Sequence, residues 1–539
     1  MNEPLRQPIA VSPTPGPIPS ESIPWMGLVA VLLGTFISTL NTRLSTFGLA
    51  DIRGAVHAGF DEGAWITTAQ AVGQMLILPV AMWIGGTYGP RRALIAAAGA
   101  LAVISLIEPF STNLETLLTF QFASGLASGF FVPLTLPFVL RNTPPRVWAY
   151  GIAIFALNLE VSLNVSASLE GWYLEHLSWA WIFWQNVPLG VAMALCLKFG
   201  VRPDAAGPKP PPADIAGLAS GGIGLALIYA ALDQGNRLDW SNSGLEWGLL
   251  LAAVVLLIGF FVQESQTDHP GVNLRYVITG PLPRLLVLIA FLRLTILSTA
   301  YAIPLFLQVV RGFRALEVGQ TLVWIAIPQL VVCFAAGFLL RRIDSRLVAS
   351  VGYLCICAAC LMVAHGLTPV WGTDQFLPSQ LLQSVGQGFA LSGTIFFAVL
   401  HSRPQDALTF AAALQVARLL GGEVGTAFIA TFIRVRGQIA SNLLGLHVQI
   451  GDGQVIQRLR TYAAVTARAD DPASAAARGA DVLGNVVHSM AVTQGIIDAF
   501  VVIAALTAVT LIVIVTHKGA PSGPASPQST SAMRAAPIS

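Results

Sequence analysis

Residues 494–516 read QGIIDAFVVIAALTAVTLIVIVT and contain one charged side chain, Asp498. A helix needs roughly 20 consecutive apolar residues to cross the hydrocarbon core of a bilayer, so this segment is long enough to span it. Comparable apolar stretches precede it, joined mostly by short polar links. The predicted spans lie near residues 25–47, 64–85, 92–111, 116–140, 147–169, 179–199, 213–232, 245–263, 284–308, 318–340, 347–367, 376–400, 408–433 and 494–516.

This pattern predicts an all-α polytopic membrane protein with fourteen transmembrane helices. Lipid admits only helices and closed barrels, and these runs are longer than the roughly ten-residue alternating segments of a barrel. The composition agrees, because 55% of the 539 residues are hydrophobic and 10% are charged, against about 25% charged in soluble domains. No sizeable soluble domain fits, and the net charge of +2 gives no indication of nucleic-acid binding.

The arginines and lysines of the short links set the expected orientation. With the amino end in the cytoplasm, the short outer links carry only Arg53, Arg237, Arg311 and Arg314, and the positive-inside rule then favours two cytoplasmic ends. Residues 434–493 form one long outer link, interpreted as one or two amphipathic helices lying on the membrane surface. Residues 1–23 and 517–539 are predicted to be disordered cytoplasmic tails.

Several classes of function lack their motifs. A P-loop needs G-x-x-x-x-G-K-[ST], and none of the three lysines, Lys198, Lys209 and Lys518, stands in that setting. The chain also lacks H-E-x-x-H, G-x-S-x-G and Cys/His metal spacing. We therefore expect no enzyme, no cofactor and no bound metal, and a transporter driven by an ion gradient is the class with positive support.

Four motifs carry a family resemblance. Residues 179–190, WAWIFWQNVPLG, resemble the signature W-x-W-I-F-x-x-N-V-P-x-G, including Asn186 and Pro188. The others are LDQGNRLDW at 232–240 with Asp233, ALQVARLLGGEVGT at 413–426 with Arg418, and GPRR at 89–92. On these motifs the chain resembles the fourteen-span drug:proton antiporters of the EmrB/QacA type, in the major facilitator superfamily.

The resemblance implies a fold and a set of partners. It implies six-helix bundles at 24–199 and 284–516, separated by a linker and two inserted helices at 200–283. Partners would be the lipid bilayer, a small-molecule substrate and protons, with a periplasmic adaptor and an outer-membrane channel if the source is Gram-negative and the protein lies in its inner membrane. Residues expected to serve structure or gating are Gly89, Arg91, Arg92, Gly125, Gly129, Asn186, Pro188, Asp233 and Arg418.

The motifs also depart from the family pattern. The first-span L-D-x-T reads Leu40-Asn41-Thr42-Arg43, so an acid is missing and a cation stands beside its place. Glu170 replaces a glycine of the fifth-span antiporter motif G-P-x-x-G-G. These changes indicate altered coupling or altered substrate charge.

Ionisable residues inside the spans are the main functional candidates, because each costs roughly 2.5–3.5 kcal/mol or more at the bilayer centre unless it is paired or hydrated. Glu160 lies halfway along the fifth span, with Asn164 one turn further on the same face. Glu160 and Glu170 are the proton-coupling candidates. The alternative for Glu160 is a permanent structural pair with Arg43.

The remaining candidates concern the substrate path. Arg43 is either a counter-ion or a ligand for an anionic substrate. Arg293 and Arg418 add two buried cations, which indicates an anionic or weakly acidic substrate. The polar path candidates are Asn41, Gln74, Asn164 and Gln383, for which interhelical hydrogen bonding is an equal alternative. Glu108, Glu170, Glu423 and Asp498 are interpreted as solvated helix ends or local caps, an alternative that for Glu170 stands beside proton coupling.

The resemblance, taken with these residues, implies a multidrug or toxic-compound exporter of amphipathic or weakly acidic organic compounds, coupled to proton entry and working by alternating access. One alternative is a dedicated porter for a single endogenous metabolite or organic acid. Another is a membrane sensor or scaffold that does not transport.

Overall fold

The computed structural model describes residues 25–201, 214–267, 274–279, 281–402, 406–448, 452–466, 472–517 and 519. The predicted tails therefore lie outside the described residues, apart from residues 517 and 519. Most of the predicted linker after residue 200 also lies outside them. Within the described ranges the chain is helical and contains no strand.

Fourteen helices in the described ranges are long and apolar enough to cross a membrane, which confirms the predicted fold class. Short breaks interrupt some of them. They are α1 Trp25–Phe47, α2 Phe60–Tyr88, α3 Pro90–Phe110, α4 Leu114–Asn142, α5 Pro145–His176, α6 Trp181–Gly200, α7 Ile215–Gly235, α8 Gly244–Gln266, α9 Leu282–Val310, α10 Ala315–Leu340, α11 Ser345–Gly366, α12 Thr373–Leu400, α13 Ala407–Gly445 and α14 Ser474–Thr516.

The first six spans, α1–α6, and the last six, α9–α14, are called the two halves of the chain here. They meet along α5 and α10, and glycines make the contact close. Gly171 of α5 lies against the backbone of Leu316, and Gly319 of α10 lies against the backbone of Ser168. A Cβ at either glycine would collide with backbone atoms. At the other end of the pair, Gly337 packs against the Tyr150 ring. Small residues of this kind let transmembrane helices approach closely.

α9 changes its hydrogen-bonding pattern near its middle. Its first part is the α-helix Leu282–Thr295, followed by the π-helical turn Ser298–Ala302 and the α-helix Ile303–Val309. Single π turns inside α-helices occur frequently at functional sites, because they redirect backbone carbonyls and side chains.

The long link 434–493 differs from the expectation of surface-lying helices. α13 continues without a break to Gly445, and α14 already begins before residue 493. A separate helix, Gly453–Thr466, packs on α14, where Gly479 lies against Ala463 and Leu459. The 39 residues of α13 correspond to about 58 Å, whereas the hydrocarbon core is about 30 Å thick. Much of the link is therefore built by the spanning helices themselves.

Candidate functional site

Glu160 of α5 and Arg293 of α9 form an ion pair between the two halves of the chain. Glu160 Oε1 lies 3.8 Å from Arg293 Nη1, and the side chains are 1% and 19% exposed. Neither carboxylate oxygen of Glu160 accepts a hydrogen bond from the residues that the structure describes. The pair is a charge contact, so the oxygens remain available to a proton. The alternative that paired Glu160 with Arg43 is wrong, because Arg293 occupies that place.

Arg43 makes a different contact between the halves. Its Nη2 donates a hydrogen bond of 2.9 Å to the carbonyl oxygen of Ala300, in the π-helical turn of α9. Its guanidinium carbon also lies 5.0 Å from the centre of the Phe47 ring, which is a cation–π arrangement. The first span is thereby tied to the ninth.

A third guanidinium completes a positively charged region. Arg418 of α13 is 6% exposed, and its Nε donates a hydrogen bond of 2.9 Å to Gln415 Oε1. The charge of Arg293 acts on both Arg43 and Arg418. Arg293 and Arg418 act on the Glu160 carboxyl, and Arg43 interacts with Arg293, so positive charge exceeds negative charge in this region and it attracts anions.

Amide side chains of α12 form a network against the π-helical turn. Gln383 Nε2 donates to Ser298 Oγ at 3.0 Å, and Gln387 Nε2 donates to Thr299 Oγ1 at 2.7 Å. Asn164 of α5 and Gln329 of α10 approach Gln387 Oε1 at 3.5 and 3.4 Å. Sequence reasoning missed Gln387 and Gln329. The signal for Gln387 was its place one turn after Gln383, on the same helix face.

The other two polar path candidates, Asn41 and Gln74, are engaged within the first six spans. Asn41 Nδ2 donates to Ser124 Oγ at 3.0 Å, and Asn186 Nδ2 donates to Asn41 Oδ1 at 2.8 Å. Gln74 Nε2 lies 3.2 Å from two hydroxyl oxygens of neighbouring spans. These contacts favour the interhelical hydrogen-bonding alternative for both residues.

Glu170 lies where α5, α10 and the end of α1 meet. It is fully buried, and neither of its carboxylate oxygens accepts a hydrogen bond from the described part of the chain. The next residue, Gly171, contacts α10, and a Cβ at Gly48 would lie 3.3 Å from Glu170 Oε1. The charge of Asp51 also acts on this carboxyl. Glu170 thus occupies a contact between the halves, about 15 Å along α5 from Glu160.

The residues assigned to structure or gating lie mostly at helix contacts. Gly89 adopts φ 88° at the start of α3, where a side chain would be strained. Arg91 donates to the Leu197 and Lys198 carbonyls at 3.1 and 2.8 Å, while Arg92 is exposed.

On α4, Gly125 and Gly129 lie against the backbone of Gln70 and Gln74 in α2. Pro188 lies in the first turn of the helical segment Asn186–Gly200 of α6.

Three of the carboxyls interpreted as solvated helix ends, Glu108, Glu170 and Glu423, are buried, so a solvated position was the wrong prediction for them. Glu423 is 8% exposed and Glu108 is 1% exposed. Glu423 is hydrogen-bonded to Tyr229 of α7, a residue that sequence reasoning missed. Asp498 instead pairs with Arg436 at 2.6 Å. Glycines beside Glu423 suggested an exposed turn, but they lie against α9.

Sequence comparison identifies the family. The profile of the Major Facilitator Superfamily matches residues 31–426. The Escherichia coli (strain K12) protein named "Probable multidrug resistance protein EmrY" is 27% identical over 430 residues, covering 78% of this chain and 81% of that one. The Haemophilus influenzae multidrug export protein EmrB is 26% identical over 421 residues, covering 75% and 79%. The Neisseria gonorrhoeae fatty acid resistance protein FarB is 23% identical over 445 residues, covering 80% and 85%.

Solved structures agree on the fold. The human organic anion transporter MFSD10 matches with a TM-score of 0.60 at 14% identity, covering 92% of this chain and all of that one. The proton:xylose symporter XylE matches with a TM-score of 0.58 at 9% identity, covering 94% and 99%. The chain is thus a multi-pass membrane transporter rather than an enzyme, and it belongs to the Major Facilitator Superfamily, in the EmrB/QacA type.

Proposed function

We propose that this protein is a secondary active exporter of drugs and other toxic organic compounds, driven by proton entry and working by alternating access. The observation that carries the proposal is the Glu160–Arg293 pair, an ionisable contact between the two halves of the chain. The names of the relatives, which include multidrug export and fatty acid resistance proteins, support the substrate class.

Protonation of Glu160 would change the contact between the halves. The ionised carboxyl attracts Arg293, and the protonated carboxyl loses most of that attraction. The closeness of Arg293 in turn determines how firmly Glu160 holds a proton. Proton occupancy is therefore linked to the relative position of α5 and α9, which is the coupling that alternating access requires.

The sign of the coupling depends on substrate charge. A neutral or cationic compound beside Glu160 competes with the proton, because it occupies the site or favours the ionised carboxyl. Competition of this kind gives antiport, and a weak acid carried in its neutral form behaves in the same way. An organic anion would bind Arg293 and favour protonated Glu160, so anion and proton would travel together.

The second candidate function is therefore a porter for one organic acid, and the three guanidiniums of Arg43, Arg293 and Arg418 favour it. The name of the structural neighbour, an organic anion transporter, is compatible with this alternative. The two candidates predict opposite proton movements, so one experiment separates them.

The experiment uses everted vesicles with an acidic lumen and a pH-sensitive dye. Antiport is expected to dissipate the gradient when a neutral or cationic compound is added, whereas anion symport would acidify the lumen further. Glu160→Gln should abolish either response. Vesicles without the protein correct for weak acids that cross the lipid unaided. Glu108→Gln is the matched control, since Glu108 is equally buried but lies in α3.

Wild type that moves no protons with any compound, after confirmed insertion, would contradict both candidates and favour a scaffold. A response that persists in Glu160→Gln would contradict the role of Glu160. A response to one compound alone, out of many tested, would favour the dedicated porter.

The arrangement in the cell is part of the proposal. We propose bundles at 24–199 and 284–516 with the inserted helices of 200–283 beside them, and both ends in the cytoplasm. If the source is Gram-negative, the protein lies in the inner membrane. The helices that project at 434–493 would then lie on the outer side, where a periplasmic adaptor leading to an outer-membrane channel would dock.

A further inference from the structure

We propose that Asp233 and Glu423, together with Tyr229, form a second proton site where the inserted helix α7 meets α13, and that this site passes protons inward to Glu160. The inference rests on the proton coupling proposed above. It goes beyond it because it gives an inserted helix a part in transport and names the outer entrance of the proton path.

The outer half of α7 runs alongside α13 in a defined register. Tyr229 packs in one apolar cluster with Leu419 and Leu420. Just past the end of α7, Asn236 Oδ1 accepts hydrogen bonds of 3.1 Å from Thr431 Oγ1 and from Arg434 Nε. On α13, Glu423 lies between Leu420 and Thr431. On α7, Asp233 lies between Tyr229 and Asn236. This register brings the two carboxyls close enough to interact electrostatically.

The hydrogen bonds at the two carboxyls differ. Asp233 Oδ2 accepts hydrogen bonds from Thr68 Oγ1 and from Gln234 Nε2. Both donors favour the ionised form of that carboxyl. Glu423 is 8% exposed and is hydrogen-bonded to the Tyr229 hydroxyl, which can both donate and accept.

Other charged and titratable groups face this site from the neighbouring helices. The charge of Asp233 acts on Glu423, and that of Glu423 acts on Tyr301 of α9. Arg237 acts on Asp233 from the outer side and is itself paired with Asp61 at 3.1 Å. From the inner side, Arg43 and Arg293 interact electrostatically with Tyr229. The site therefore lies between an outer and an inner cationic region.

Two carboxyls that repel each other in apolar surroundings cannot both remain ionised without cost, so the pair retains one proton. The hydrogen bonds to Asp233 leave that proton with Glu423. The Tyr229 oxygen can take it up while releasing its own hydroxyl proton on the opposite side, so the phenol stays neutral. One proton enters and one leaves, and no other group changes its charge.

The route inward leads to Glu160, through water beside Arg293. Gly422 precedes Glu423, and a Cβ built on it would lie 3.7 Å from Arg293 Nε. Arg293 is the ion-pair partner of Glu160 and keeps 19% of its side chain accessible, which leaves space for water. The receiving carboxyl is 1% exposed, and neither oxygen accepts a hydrogen bond from the described residues. Glu160 is thus a buried acceptor with free lone pairs at the end of the path.

The test separates proton movement from substrate movement in proteoliposomes. The variants are Glu423→Gln, Asp233→Asn and Tyr229→Phe, with Glu108→Gln as the matched control. A compound to which wild type responds is assayed twice: by proton release from an acidic lumen, and by counterflow of labelled against unlabelled compound at equal pH. Counterflow needs folded, rocking protein but no net proton transfer, so it reports misfolding directly.

We expect all three variants to keep counterflow and to lose proton-driven transport, while Glu108→Gln keeps both. Unchanged proton release in Glu423→Gln and Asp233→Asn would overturn the proposed site, and so would the loss of counterflow together with proton release. Dependence of the wild-type response on Na⁺ at fixed pH would also overturn it, in favour of a metal-ion site. If wild type itself releases no protons, the failure belongs to the proposed function.

Discussion

Arg43 Nη2 on α1 lies 2.9 Å from the carbonyl oxygen of Ala300, inside the π-helical turn of α9. A hydrogen bond from a charged donor contributes about 1.5–3 kcal/mol. Because this one joins the two halves of the chain, its contribution favours the arrangement in which the end of α1 stays against α9. The same turn of α9 receives Gln383 and Gln387 from α12, so it connects helices of both halves.

Arg43→Ala should therefore shift the protein toward states in which the halves separate at this end. Ser168, which lies against Gly319, reports that separation when replaced by cysteine in a variant lacking the five native cysteines. We expect faster labelling of Ser168→Cys by a membrane-impermeant maleimide in the Arg43→Ala background. Arg436→Ala is the control, because Arg436 joins α13 to α14 through Asp498 within one half. Equal labelling rates in all backgrounds would contradict this gating role.

The two partners of the central pair should differ in their importance for stability. Removing one partner of a buried ion pair costs about 3–5 kcal/mol. Glu160 without Arg293 can become neutral by binding a proton, whereas a guanidinium without Glu160 stays charged. Glu160→Gln should therefore lower the midpoint of thermal unfolding in detergent more than Arg293→Gln. The double variant should lower the midpoint by less than the sum of the two single variants. Additive losses would show that the 3.8 Å contact does not contribute to stability.

The glycine contact between α5 and α10 should be sensitive to a single methyl group. A Cβ at Gly171 or Gly319 would collide with backbone atoms of the facing helix, and backbone cannot rotate away as a side chain can. Gly171→Ala and Gly319→Ala should each reduce transport strongly at wild-type expression. Gly259→Ala is the matched control, since a Cβ there meets no atom within 4 Å. Its transport should be unchanged, and equal losses in all three variants would contradict the packing argument.

His401, just past α12, should make stability depend on pH. Burial lowers the pKa of His401. The hydrogen bond to Phe397 and the charge of Asp344 oppose this shift, whereas the charges of His517 and Arg346 add to it. In the unfolded chain the pKa is about 6.5. The unfolded state thus binds more protons between the two pKa values, and stability falls as the pH drops below about 6.5. Melting temperatures measured from pH 8 to pH 5 should show this decline, and His401→Gln should flatten it. A parallel curve for the variant would exclude His401 as the source.

The proposed orientation can be read by labelling. Asp452, which precedes the helix Gly453–Thr466, is exposed and belongs to the predicted outer link. A single cysteine replacing Asp452 should react with an impermeant maleimide in intact cells. One replacing Arg342 should react only after permeabilisation, since Arg342 is exposed and lies in the predicted inner link between α10 and α11. The reverse pattern would invert the topology.

The sequence predicts the helices well because a span is a local property. The apolar run at 494–516 is sufficient to identify the membrane-spanning part of α14, whichever helices surround it. The continuation of α13 beyond its predicted end at residue 433 was missed, because residues 434–445 are too polar to count as a span. They nevertheless continue the helix of α13, since helix formers such as Ala, Leu and Arg extend a helix that has already been nucleated.

The site is harder to predict, because its contacts join distant parts of the chain. Arg293 lies outside every recognised motif, and its pairing with Glu160 appears once α9 is placed against α5. Glu423 lies among glycines and resembles a helix-end residue. Its partner Tyr229 is on a helix almost two hundred residues earlier in the chain, and a sequence pattern has no means of joining the two. The acid Asp233, by contrast, lies within a recognised motif, but its hydrogen bonds to Thr68 and Gln234 were not predictable.

α13 extends well beyond the thickness of a bilayer, and this length has a mechanical consequence. A helix that rocks about the membrane midplane moves its tip in proportion to the distance from that plane. For an overhang of about 25 Å beyond the half-thickness of about 15 Å, a rotation of about 10° displaces the tip by about 7 Å. Small angular changes at the Glu160–Arg293 pair thus become large translations near Gly445. Any protein bound to the ends of these helices would be moved back and forth once in each transport cycle.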